Sequence, residues 1–322
     1  MSKLRVCSSL FCLLLILSSL GESLGATSTK SLNYMNQELS FNAPAIIYGR
    51  DDRYEANSYF DDNFVKKAHS VAMRVANKHL SESREDPNII NFLNKKLKQT
   101  MPQLCPTEKY LEQTILGDCT GFLVSPTTLV TAGHCMKSEN ECLNNKWVFD
   151  YNEDTKDLKK NDVYACKKII SQKEIYSKNE VSDYAVIQLD RPVFDRAPLE
   201  RRKFGQVPYG TPLLVIGHPL GLPMKITDGA EVMPMNDIEL KTRFRSLFLR
   251  DHYFTANLDS YAGNSGSPVF NVDTGKVEGV LIQGADDFVF DEKESCIKSR
   301  HLRNNYHHTY EKVMKITEIP GL

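Results

Sequence analysis

From about residue 115 onward the chain is written as short β-like runs, each bounded by Gly, Pro, Asn or Asp, and this restricts the fold more than any other feature. The candidate strands are Gly121–Val124, Leu129–Ala132, Lys146–Phe149, Val163–Ile170, Tyr184–Leu189, Leu213–Ile216, Tyr253–Asn257, Pro268–Asn271 and Val277–Ile282. Many short strands at this spacing predict a barrel or a sandwich. Upstream the pattern changes. Phe64, Ala68, Val71, Val75 and Ala76 recur at helical spacing, which predicts an amphipathic helix over 63–80. Asp86-Pro87 predicts the start of a second short helix with Ile90, Leu93 and Leu97 on its inner face. Tyr310–Thr317 predicts a last helix, stopped before Pro320-Gly321.

The N-terminus pairs Lys3 and Arg5 with an apolar stretch, Leu10 to Leu17, followed by small residues at Ser19/Gly21 and Ser23/Gly25. This is the pattern of a cleaved secretory signal over 1–25, and the apolar stretch is too short to cross a bilayer of about 30 Å. Cys12 follows Phe11, a poor site for lipid attachment. An exported chain, periplasmic or extracellular, favours disulfides, and six cysteines remain after the signal: Cys105, Cys119, Cys135, Cys142, Cys166 and Cys296. Their pairing is open at this point, with about 15 possible connectivities, and no C-x-x-C pair points to zinc. The formal net charge of −1 argues against a nucleic-acid partner, and no apolar stretch is long enough for a membrane span.

Three segments carry the chemistry. The first is Thr131-Ala132-Gly133-His134-Cys135, preceded by Cys119-Thr120-Gly121-Phe122. The second begins Ser182-Asp183-Tyr184-Ala185-Val186. The third is Asp259-Ser260-Tyr261-Ala262-Gly263-Asn264-Ser265-Gly266-Ser267-Pro268. Acyl transfer needs a nucleophilic hydroxyl, a base and an acid that orients the base, and Ser265, His134 and Asp183 are candidates for these roles. It also needs backbone N–H groups aimed at the oxyanion, here those of Gly263 and Ser265. Taken singly, a His beside a Cys or a Gly-x-Ser-Gly is most simply structural; the conjunction of all three carries the reading. His218 reads as a loop residue, while His301, His307 and His308 are better explained as surface groups than as metal ligands. No metal and no cofactor are expected.

These blocks resemble the trypsin/chymotrypsin family of serine endopeptidases. The Asn-Ser-Gly-Ser ending is closer to bacterial exported members, and Ile46-Ile47-Tyr48-Gly49-Arg50-Asp51-Asp52-Arg53 resembles the glutamyl endopeptidase branch. The resemblance implies an all-β fold of two antiparallel six-stranded barrels with the site in the cleft between them. The helices predicted above would add a partly helical N-terminal extension and a short C-terminal helix. By analogy with the glutamyl branch a prosegment over 26–45 is expected, followed by an N-terminal segment over 46–114 with two short helices and a peptidase domain over 115–322, the resemblance itself being strong over 115–290 and absent over 56–100. Barrel closure leaves no strand edge, so a monomer acting on protein or peptide substrates is expected, free of the membrane once the signal is removed. The resemblance also implies a Cys119–Cys135 bridge behind the histidine. Cys142 and Cys166 are the next most local pair, leaving Cys105 to Cys296.

Asp259 stands six residues before Ser265, where trypsins keep the acid that pairs with a substrate Lys or Arg, and Ser260 follows it as in trypsins. With Gly284 these residues are the expected substrate contacts. The glutamyl branch would imply cleavage after Glu, yet the strand 279–284 lacks the His used there. Ile282 and Gln283 replace the family's Ser-Trp pair, a departure that bears on both the substrate backbone contacts and the support of Asp183. Asn264 carries no charge for an activating ammonium, so a start at Ile46 or Ile47 is expected by analogy with the glutamyl branch. The competing readings are a non-catalytic binding protein on the same fold and an esterase or amidase sharing the triad.

Overall fold

The computed structural model describes residues 47–177, 180–234, 252–284, 286–303 and 310–322. The expected signal, the prosegment, His307 and His308 lie outside the described residues. Twelve strands form the frame. The first six are β1 (Val71–Ala76), β2 (Cys119–Ser125), β3 (Thr128–Thr131), β4 (Asn145–Phe149), β5 (Val163–Tyr176) and β6 (Val181–Leu189). They close antiparallel in the order β4-β5-β6-β3-β2-β1, with β1 pairing back onto β4. The others are β7 (Pro212–Gly217), β8 (Lys225–Met233), β9 (Tyr253–Ala256), β10 (Pro268–Asn271), β11 (Val277–Gln283) and β12 (Glu311–Lys315). These close as β7-β10-β11-β12-β9-β8, with β7 against β8. The chain is therefore two six-stranded antiparallel barrels, as the sequence implied.

Alternation along the strands explains how the barrels join. Leu123 of β2 and Leu129 of β3 point into the first barrel with Trp147 and Ile187. Their neighbours Phe122 and Val130 point out, into a cluster shared with Leu214, Ile216 and Phe270 of the second barrel. Leu213, Val215, Val232, Phe254 and Val313 fill the second barrel. Both faces of such strands are buried, so their sequences are continuous apolar runs.

That double burial corrects two helix expectations. The predicted helix over 63–80 is α-helical only at Asp62–Ala68 (α1), capped by the Asp61 side chain on the Asn63 N–H, with a separate 3-10 turn at Asn77–His79. Val71–Ala76 is strand β1, buried along almost its whole length between β2 and β4. The C-terminal segment is likewise β12, ending in a single 3-10 turn over Ile316–Glu318, because Val313 and Met314 serve opposite sides of the second barrel wall. The second upstream helix does not start at Asp86-Pro87: Ile89–Phe92 is a strand, paired with Leu80–Glu82 and Leu158–Lys159, and of the predicted inner face only Leu97 is helical, in the short turn Leu97–Thr100. The stretch from 47 to 114 holds two short α-helices, Asp62–Ala68 and Leu97–Thr100, and also supplies one strand of the first barrel.

Three disulfides join Cys119 to Cys135, Cys142 to Cys166 and Cys105 to Cys296. The last ties the stretch after β1 to the hairpin formed by Phe288–Asp291 and Cys296–Ser299. An N-terminal arm lies on the second barrel: Ile47–Tyr48 pairs with His301–Leu302, and Arg53–Glu55 adds to β8. Among the described residues no helix is long and apolar enough to cross a membrane.

Candidate active site

His134 follows β3 in a short 3-10 turn over Gly133–Cys135, and Asp183 sits in β6, the strand paired with β3. The Asp183 carboxylate is fully buried and holds His134 twice. Its Oδ1 accepts the His134 backbone N–H at 2.8 Å, and its Oδ2 lies 2.6 Å from Nδ1. With Nδ1 facing the acid, the other ring nitrogen, Nε2, is left to act as base. Behind the histidine, Arg74 of β1 pairs with Asp118 at 2.6 Å and donates to the Cys135 carbonyl. Sequence reasoning missed that brace, because Arg74 lay in a presumed helix.

Ser265 lies in the turn before β10, and Thr120 from the first barrel pins that turn. The Thr120 N–H donates to the Ser265 carbonyl and its hydroxyl to the Gly263 carbonyl, both at 2.8 Å. Ala262 is held on both sides: its N–H donates to Asp287 Oδ2 at 3.2 Å, and its carbonyl accepts from the Leu220 N–H at 2.5 Å. Leu220 has the uncommon φ of +54° that aims this N–H. Two glycines are required here. Gly263 has φ +96°, and a Cβ would lie 2.5 Å from the His218 carbonyl oxygen. Gly266 has φ +89°, and a Cβ would lie 2.0 Å from the Thr120 carbonyl oxygen. With the carbonyls of residues 262, 263 and 265 all engaged, the N–H groups of Gly263 and Ser265 have no acceptor among the described residues.

Ser265 is brought to the His134 turn through the Cys119–Cys135 bridge: Cys135 Sγ is 3.7 Å from the Ser265 carbonyl oxygen. No hydrogen bond joins the Ser265 hydroxyl to His134, a separation common in enzymes without substrate. Cys119, His134 and Cys135 form the one metal-like cluster among the described residues, but both sulfurs are in the disulfide and offer no thiolate.

The expected substrate contacts have a second use. Asp259 is buried, and its oxygens accept the Tyr48 N–H at 2.6 Å and the Asp52 N–H at 3.1 Å, anchoring the N-terminal arm. Burial pushes its carboxyl up to about 7, against the pull of those donors. Tyr261 packs between the Arg53 guanidinium, 4.3 Å from its ring centroid, and the tilted Phe288 ring, and its hydroxyl reaches Ser299. Arg53 is itself paired with Asp51 at 2.7 Å. Ser260 is buried beside Tyr261, and Gly284 is half-buried just past β11. Asp287 is a further acid that sequence reasoning passed over; burial raises its carboxyl well above the usual range, and its Oδ1 is buried with no partner among the described residues. His218 is fully buried, its Nδ1 donating to the Leu222 carbonyl at 3.0 Å while burial lowers it to about 3, so it stays neutral.

Tyr176 was also missed. Its hydroxyl donates to Asp183 Oδ2 and lies 3.3 Å from the Ile282 carbonyl oxygen, on the strand where the expected serine is absent.

Comparison with known proteins follows the same lines. The family described as trypsin-like peptidase domain matches residues 119–280, half of the chain. No curated protein matches the sequence. Among solved structures, the VesB protease of Vibrio cholerae aligns at 14% identity with a TM-score of 0.51, over 84% of this chain and 64% of that one. The chain therefore spans less than two thirds of VesB. A Glu endopeptidase in complex with MPD aligns at 15% identity with a TM-score of 0.48, over 85% of this chain and 94% of that one.

Proposed function

This chain belongs to the family of trypsin-like peptidase domains, and on that premise we propose that it is an exported serine endopeptidase working through Ser265, His134 and Asp183. The observation that carries the reading is the doubly held His134–Asp183 pair, together with two free N–H groups at Gly263 and Ser265. In the forward step Ser265 Oγ bonds to the substrate carbonyl carbon while its proton passes to His134 Nε2. The carbonyl oxygen takes the negative charge and is met by the Gly263 and Ser265 N–H groups. His134 then gives the proton to the leaving amine as the C–N bond breaks, and water repeats the sequence to release the acid. Asp183 keeps its negative charge throughout and steadies the imidazolium. No cofactor takes part.

Three disulfides suit an oxidising compartment, in line with a signal over 1–25 and secretion as a monomer. A mature start at Ile46 or Ile47, after a prosegment over 26–45, would keep the whole described arm, whose Ile47 N–H donates to the Arg300 carbonyl. N-terminal sequencing of the secreted form tests this, and a start beyond Asp62 refutes it. Cleavage after Lys or Arg is the finer reading, with Asp259 as the acid. A substrate cation there would draw the proton from a carboxyl that burial holds near 7.

The experiment is a peptide panel varying only the residue before the scissile bond, with wild type, Ser265→Ala and Asp259→Asn compared. Turnover lost in Ser265→Ala supports the mechanism. Lys/Arg preference lost in Asp259→Asn supports the pocket acid. Cleavage after Glu keeps the triad and removes the pocket reading, and absence of Ser265-dependent turnover points to a binding protein.

A further inference from the structure

Asp183 has three donors on two oxygens: the His134 N–H on Oδ1, and His134 Nδ1 with the Tyr176 hydroxyl on Oδ2. Tyr176 closes β5, in register with Val181, so the hairpin to β6 brings its ring past Glu174 to the carboxylate two residues further on. Tyr176 is 45% exposed as a residue, while its hydroxyl is turned inward to the fully buried Asp183 carboxylate. A phenol has a single hydrogen. The ionised Asp183 claims it over the Ile282 carbonyl, because a charged acceptor makes the stronger and shorter bond. Burial, and then the Asp183 charge, push the phenol above its ordinary value, so the donor persists under alkaline conditions.

We propose that Tyr176 is a positioning residue that fixes the rotation of the Asp183 carboxylate and moderates its pull on the His134 proton. The proposal rests on the triad reading above. With three donors in place the carboxylate cannot turn, and the imidazole it orients keeps one direction. The hydroxyl also draws charge from Oδ2, so without it the carboxylate stabilises imidazolium more strongly.

The test uses Tyr176→Phe, which keeps the ring and removes the donor. In a Ser265→Ala background, the His134 imidazole followed by NMR titrates about half a unit higher. In the Ser265 enzyme kcat falls about tenfold with KM little changed, and the acid limb of kcat/KM moves upward with the imidazole. Should the Phe variant not fold, 3-fluorotyrosine placed at 176 keeps the shape and strengthens the donor, and the imidazole then titrates lower. An imidazole that does not move in either protein overturns the proposal. A wild type whose turnover survives Ser265→Ala defeats the triad reading instead, and the NMR titration still decides the role of Tyr176.

Discussion

Gly263→Ala tests how rigidly the turn before Ser265 is held. At φ +96° a residue with a side chain is strained by about 1–3 kcal/mol. The added Cβ would also stand 2.5 Å from the His218 carbonyl oxygen and 3.0 Å from the N atoms of Leu220 and Gly221. Ordinary contact begins at 3.4 Å, so the backbone must separate by 3.4 − 2.5 = 0.9 Å. All three neighbours are backbone atoms, and none can swing aside. The peptide cannot slide as a body either, because Ala262 and Gly263 are tied by their carbonyls to Leu220 and Thr120. The remaining relief is rotation of the 262–263 peptide, which carries the Gly263 N–H away from the developing oxyanion. Loss of one such donor lowers kcat about 10²–10³-fold, equivalent to about 3–4 kcal/mol, while KM changes little. The assay is hydrolysis of a chromogenic peptide amide at saturation, with competent sites counted by a fluorophosphonate label. A variant with the wild-type melting temperature and kcat within about threefold of wild type would refute the reasoning.

Stability also carries a signature of Asp259. Its folded value near 7 exceeds the unfolded 3.8, so between them the folded protein keeps a proton that the unfolded chain has released. Stability therefore falls as pH rises from about 4 to about 7, and Asp259→Asn flattens that slope by at most about 1.4 kcal/mol per pH unit in denaturant titrations. Replacing Cys119 and Cys135 together by Ser frees a loop of 16 residues, costing about 3 kcal/mol or a melting shift on the order of 10 °C by calorimetry. Arg74→Ala strips the Cys135 carbonyl and Asp118 of their buried partner and lowers stability by about 3 kcal/mol in the same measurement.

What the sequence disclosed was what short spacing encodes. All nine runs named from turn signals are barrel strands, because each is bounded by residues that break pairing locally. The three barrel strands that escaped are β1, β8 and β12. In β1, Val-Ala-Met-Arg-Val-Ala is buried on both faces, so it lacks a two-residue period, and Phe64 and Ala68 just upstream complete a false helical one. In β12, Lys312 and Lys315 flank the apolar pair Val313-Met314, a pattern a helix would show equally well. The pairing of His134 with Asp183 was legible because each lies inside a compact motif, as the candidate Ser265 does. Tyr176 was not, since its link to Asp183 depends on the register of a hairpin. The arm on Asp259 was equally hidden: its contacts span 211 and 207 positions of chain.

Strand β1 lies 42 residues ahead of the next strand in its barrel, from Ala76 to Cys119 less the intervening ends (119 − 76 − 1 = 42). Anyone trimming this protein for expression at the visible change of texture near 115 would remove one stave from a closed wall. The remainder would present β2 and β4 as two bare edges facing each other across the gap, each able to recruit a neighbouring molecule. It would also leave Cys296 without its mate and Asp259 without the backbone it holds. Insoluble, cross-linked material from such a fragment would reflect where the cut was made, and a usable one begins no later than Ile47.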